Sequence, residues 1–129
     1  MILGIGIDII EIPRIKKAIK RWNESFLERI FTINELAYSK SRKFSYEHLA
    51  GRFAAKEAVL KAFGDSSINR IDWKDIEVLN DKLGKPNIRL SGEAKKISAK
   101  KKISSILISI SHTSEYAVAN ALLIKNGKT

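Results

Sequence analysis

The first ten residues, MILGIGIDII, alternate in a way that limits what can lie beside them. With a period of two, Leu3, Ile5, Ile7 and Ile9 share one face of a strand, while Gly4, Gly6, Asp8 and Ile10 share the other. Two positions without side chains let a second backbone or a ligand come close to that face. Asp8 stands on the same face. A buried, unpaired carboxylate costs several kcal/mol, so the strand must give Asp8 a cation or leave it at the sheet's edge.

The longest helical pattern, SYEHLAGRFAAKEAVLKAF over residues 45–63, offers a matching surface, and Gly64 is placed to close it in the left-handed conformation. Ala50, Ala54, Glu57 and Lys61 fall on one face at spacings of four, three and four, with Ala58 adjacent. If this small-residue face packs on the glycine face, Asp8 and Glu57 converge. Two carboxylates on rigid elements, with no histidine or cysteine near them in the pattern, suit a hard, oxygen-seeking cation such as Mg²⁺, whose other positions are filled by water and phosphate oxygens. Lys61, one turn beyond Glu57, then meets a phosphate. The competing reading is an ordinary i,i+4 Glu to Lys pair on a solvated face, worth about 0.3 to 0.5 kcal/mol.

Around this pair the pattern predicts an α+β fold, a small and mainly antiparallel sheet packed on the long helix. Pro13 opens a first helix in which Ile15, Ala18, Ile19 and Trp22 recur at helical spacing, with Trp22 assigned to the core; its other face carries Arg14, Lys17, Lys20 and Arg21. Phe26, Leu27, Ile30 and Phe31 form a second apolar patch, and Thr32 with Glu35 reads as a capping box. Residues 40–44 read as a loop. Downstream, DIEVLNDKLGKPNIRL reads as two short strands around a turn, residues 91–101 as a lysine-rich helix, and ISSILISISHTSEYAVANALLI as a hairpin. Residues 125–129 are expected to fray.

At 129 residues, 44% of them hydrophobic, the chain is expected to form one domain over 1–129. Zero cysteines exclude a disulfide scaffold and thiol redox chemistry. The opening residues have no positive n-region, and Gly4, Gly6 and Asp8 interrupt their apolar run, so a cytoplasmic protein without membrane spans is expected. A formal net charge of +10 favours an anionic partner, although general lysine richness accounts for it as well.

Four segments occur in order over nearly the whole chain: GIGIDIIEI, LAGRFAAKEAVLKAFG, DIEVLNDKLGKP and SISHTSEYAVA. In these the chain resembles the holo-(acyl-carrier-protein) synthases, the small phosphopantetheinyl transferases. The resemblance implies a Mg²⁺-dependent transfer of the 4'-phosphopantetheine arm from coenzyme A to a serine of apo acyl carrier protein, releasing adenosine 3',5'-bisphosphate. It implies that Asp8 and Glu57 ligate the metal and that Lys61 stabilises developing charge. Lys43, Arg52, Lys61, Gly64 and His112 fall at coenzyme A positions, although Ser111 stands where many relatives carry Thr or Arg. Without the resemblance, His112 reads as a turn or core histidine.

Arg14 and Arg21 match positions that grip the acidic carrier protein, and Lys17 and Lys20 add to the field. The family is typically a homotrimer, with which the apolar faces of the last hairpin are compatible. The base that takes the serine proton is open between water, Asp8, Glu57 and a phosphate oxygen. Water is favoured, because a carboxylate that ligates Mg²⁺ loses basicity. Two other readings compete. A small basic nucleic-acid-binding protein fits the charge, but no stacking platform or known binding motif is present. A non-catalytic binder of coenzyme A or carrier protein would have no need of Asp8, Glu57 and Lys61 together.

Overall fold

The computed structural model describes residues 1–43, 45–64 and 66–126. Phe44 of the expected loop and residues 127–129 of the expected frayed end lie outside the described residues. Strand β1 (Ile2–Glu11) leads into helices α1 (Ile12–Ile30), α2 (Ile33–Lys40) and α3 (Ser45–Phe63). Two 3-10 turns, Ser66–Arg70 and Trp73–Asp75, precede strands β2 (Ile76–Asn80) and β3 (Pro86–Leu90). Helix α4 (Gly92–Lys100) and strands β4 (Ser105–His112) and β5 (Tyr116–Ile124) complete the order. All strand pairs are antiparallel, as the pattern predicts, but they form two sheets: β1-β5-β4, and the separate hairpin β2-β3.

In the larger sheet, Gly6 pairs with Ala121, Asp8 with Ala119 and Ile10 with Ala117. The inner face of β1 and β5 is therefore nearly free of bulk, and α3 lies directly on it. A Cβ added at Gly6 would overlap the Ala58 carbonyl oxygen, and one at Gly4 the Ala62 carbonyl oxygen. Ala54, Ala55, Ala58 and Val59 of α3 are fully buried, in one core with Ile76, Val78, Ala119, Ala121 and Leu123. Burying each of the larger aliphatic side chains contributes about 1.5 to 3 kcal/mol. Gly64, at φ +71°, ends α3 as expected, its N–H donating to Leu60 O at 3.4 Å. The other face of β1 is bare: Ile5, Ile7 and Ile9 are 69%, 62% and 64% exposed.

Helix α1 starts with Pro13 in its first turn and buries Ile12 and Ile15. It is broken at Asn23, whose φ of +48° few non-glycine residues adopt. The break corrects the expectation for Trp22, which is not in the core but 56% exposed, with the Arg21 guanidinium 5.1 Å from its ring centroid. The helical register that aligns Trp22 with Ile15 and Ile19 ends one residue later, and the chain leaves the core face there.

The capping box at Thr32 and Glu35 forms as predicted, and Glu35 does more than cap. Its Oε1 accepts the Thr32 N–H at 2.9 Å and lies 2.8 Å from Lys56 Nζ, and its Oε2 accepts the Val78 N–H at 2.8 Å. Lys56 also donates to the carbonyls of Trp73 at 3.0 Å and Ile76 at 2.5 Å. Both side chains are fully buried. Burial pulls the Lys56 ammonium below the usual lysine range, and the facing Glu35 carboxylate opposes that shift.

The contact between β1 and α3 makes a specific demand on Gly6. Gly6→Ala is expected to lose about 1 to 3 kcal/mol of stability in urea unfolding, the usual cost of forcing extra volume into a packed interface. An unfolding curve that matches the parent would show that β1 and α3 are not held this close.

Candidate active site

Asp8 and Glu57 line one cavity of about 520 Å³ between β1, α1 and α3, together with Arg14, Phe26, Phe53 and Tyr116. The glycine face brings Asp8 to α3, and the spacing along α3 brings Glu57 and Lys61 to Asp8. Lys61 Nζ donates to Asp8 Oδ1 at 3.0 Å and to the Ile7 carbonyl at 3.1 Å. Its ion pair thus crosses from helix to strand, and the solvated-face reading of a Glu57 to Lys61 pair does not describe it. Lys61 is half exposed while Asp8 is largely covered, so the pair stands at the rim of the cavity.

Burial holds the Glu57 carboxyl above the ordinary glutamate range, and the Asp8 carboxylate adds to this while Lys61 opposes it. The two carboxylates feel each other. Among the described residues no three histidines, aspartates or glutamates gather as a metal-ligand group. A donor set of two carboxylates fits Mg²⁺, which takes one or two such ligands and completes its shell with phosphate oxygens and water. An all-protein calcium cage would need more oxygens.

The remaining expected residues divide. Arg14 is exposed and lines the same cavity as Asp8 and Glu57. Arg52 faces away from it: only 3% exposed, it donates to Asn80 Oδ1 and, at 3.4 Å, to the His48 carbonyl. Its guanidinium lies 4.1 Å from the Tyr38 ring centroid, and burial lowers its pKa. His112 is exposed at the end of β4, with its ring 5.9 Å from that of His48, which stands 5.6 Å from Tyr38. Arg42 covers Tyr38 at 4.5 Å, and Lys43, next in sequence, is exposed.

A second centre therefore gathers Arg42, Arg52, His48 and His112 around Tyr38. Burial, then Arg52, His112 and Arg42, lower the His48 pKa, as expected where cations crowd. Gly64 and Arg21 belong to neither centre. Tyr38, Arg42, His48 and Asn80 were not singled out from the sequence. The one usable signal was His48 standing one helical turn before Arg52.

The raised Glu57 pKa fixes a pH dependence. Because the folded pKa exceeds the unfolded one, the folded state binds more protons between the two values, and stability falls as pH rises through that window. With chelator present, Glu57→Gln is expected to stabilise the protein more at about pH 7 than at about pH 4, where Glu57 is mostly protonated in both states. Equal changes at both pH values, measured by urea unfolding, would show that Glu57 carries no such penalty.

Residues 4–121 match the 4'-phosphopantetheinyl transferase superfamily. The chain is 51% identical over 124 residues to the holo-(acyl-carrier-protein) synthase of Alkaliphilus oremlandii, covering 96% of this chain and 100% of that one. Its fold is similar to the crystal structure of the holo-(acyl-carrier-protein) synthase of Neisseria meningitidis, with a TM-score of 0.86, 32% identity, and coverage of 97% of this chain and 100% of that one. It is similar also to the synthase of Bacillus anthracis in complex with CoA (3',5'-ADP), with a TM-score of 0.79, 42% identity, and coverage of 98% and 99%. A fold shared over nearly its full length, and identity well above 30% across 96% of the sequence, establish that this chain belongs to the 4'-phosphopantetheinyl transferase superfamily.

Proposed function

We propose that this chain is a holo-(acyl-carrier-protein) synthase that moves the 4'-phosphopantetheine arm of coenzyme A onto a serine of apo acyl carrier protein. The observation that carries the reading is the convergence of Asp8 and Glu57 at one cavity that Arg14 also lines, with Lys61 bonded to Asp8, in a chain half identical to enzymes of that name. The serine Oγ forms a bond to the phosphorus that bears the pantetheine arm. The pyrophosphate bridge to that phosphorus breaks, and adenosine 3',5'-bisphosphate leaves. The serine proton passes to water in the open cavity.

Asp8 and Glu57 are the residues that would hold Mg²⁺, and the ion would supply charge neutralisation on the pyrophosphate and a template for in-line attack. Lys61 keeps a cation beside Asp8, where charge develops on phosphate oxygens. Arg52, Lys43 and His112 bind the phosphates and nucleotide of coenzyme A, Gly64 passes close to the cofactor, and the Arg42, His48 and Tyr38 cluster supports the same end. Arg14, which lines the cavity, and Arg21, farther along α1, dock the acidic carrier protein.

The bare Ile5, Ile7 and Ile9 face supports a homotrimer in which that face is covered. Among the described residues no helix is long and apolar enough to cross a membrane, which is compatible with work in the cytoplasm.

Purified chain incubated with coenzyme A, Mg²⁺ and apo carrier protein is expected to raise the carrier's mass by one phosphopantetheine, and a chelator is expected to stop this. No gain with a competent carrier would refute the reading. Asp8→Asn and Glu57→Gln are each expected to lose about 10²-fold or more in kcat, as when a transition-state charge partner is removed. Arg14→Glu is expected to raise KM for the carrier about tenfold or more and to leave KM for coenzyme A near the parent value. An unchanged carrier KM with no loss of kcat would remove Arg14 from docking.

A further inference from the structure

Helix α3 meets β1 through backbone and alanine methyls: the carbonyls of Ala58 and Ala62 lie against Gly6 and Gly4, and the Ala58 side chain is fully buried. Bulky ridges set a helix's rotation on its neighbour, and this interface has none. Beside that face Val59 and Phe63 add apolar contacts, which are not directional. Directional contacts are made by Arg52, which donates to Asn80 Oδ1, by Lys61 at the site itself, and by Lys56, the one of the three whose side chain is fully buried. Its ammonium holds the Glu35 carboxylate at 2.8 Å and the carbonyls of Trp73 and Ile76 at 3.0 and 2.5 Å. Glu35 is itself fixed by the N–H groups of Thr32 and Val78. One side chain of α3 is thereby tied to α2, to the turn before β2, and to β2.

Lys56 precedes Glu57, about 100° around the helix. We propose that the buried Lys56 and Glu35 pair is a positioning device that sets the rotation of α3 and so aims Glu57 and Lys61 at Asp8; this rests on the site reading given above. A rotation of about 20° moves a group held about 5 Å from the axis by about 2 Å. A misplacement of about 1 Å can cost about 10²-fold in rate. Uncharged residues of similar shape would hold the fold as well as the ion pair does. They would not hold the angle.

The test compares the parent with Lys56→Met, Glu35→Gln and the double variant Glu35→Gln/Lys56→Met by unfolding, steady-state kinetics and crystal structure. Lys56→Met is expected to melt well below the parent, because it leaves a buried carboxylate without its cation. The double variant is expected to regain most of that loss. It should keep KM for coenzyme A within about twofold while kcat falls about tenfold or more. In its structure Lys61 Nζ should move out of hydrogen-bond reach of Asp8 Oδ1, a contact of 3.0 Å in the parent.

A double variant that keeps this contact overturns the inference whatever its kinetics, and the pair is then structural only. Loss of the contact with parent kcat confirms the lock but refutes the roles given to Asp8 and Lys61. A parent that transfers nothing refutes the proposed function, while the contact still decides the lock. Should the double variant not fold, Glu35→Gln, which keeps shape and an acceptor but weakens the charged bond, carries the same comparison.

Discussion

Strand β1 lies so close to α3 that neither Gly4 nor Gly6 has room for a Cβ, and each faces a carbonyl oxygen of the helix. Such an approach needs small residues on both sides, which Ala58 and Ala62 supply from the helix and Ala119 and Ala121 from the neighbouring strand. The alanines and glycines bring little apolar area, so the interface gains from density of contact more than from burial of large side chains. Its return is position. A strand held this near lets a short aspartate reach the ammonium of Lys61 and share a cavity with Glu57.

Charge is concentrated by the same arrangement. Glu57 sits partly covered beside another carboxylate, an arrangement that raises its pKa and costs the folded protein stability at neutral pH. Strain of this kind is expected where a site must attract a cation and two phosphates, since a carboxylate satisfied by its own chain would have less to offer them. At the second centre the cost has the opposite sign: Arg42, Arg52 and two histidines crowd around Tyr38, and burial first, then the neighbouring cations, lower the His48 pKa. The first centre gathers carboxylates and the second gathers cations.

Much of this was legible in periodicity. The alternation of residues 2–10, the small-residue face of residues 45–63, the capping box and the two hairpins are local patterns, and local patterns survive folding. Three features were not legible because they depend on distant neighbours. The pairing of β1 with β5 joins the two ends of the sequence. Glu35 satisfies a local capping motif, and nothing local to it shows that its carboxylate would also meet Lys56 through Oε1 and Val78 through Oε2 in the interior. Arg52, a residue type that is usually exposed, is buried because Asn80 and the His48 carbonyl lie within its reach. Trp22 misled for a different reason, since the helical period that assigned it to the core stops at Asn23.

In the proposed function, Asp8 and Glu57 form half of a cation site whose other half is the pyrophosphate of coenzyme A. Calorimetric titration of Mg²⁺ into the protein, with and without coenzyme A, addresses it most directly. Two carboxylates alone should bind Mg²⁺ weakly, coenzyme A should strengthen that binding about tenfold or more beyond its own affinity for the ion, and Asp8→Asn should abolish the gain. Binding that is equally tight without coenzyme A, or a gain that survives Asp8→Asn, would contradict a metal held between this pair and the pyrophosphate.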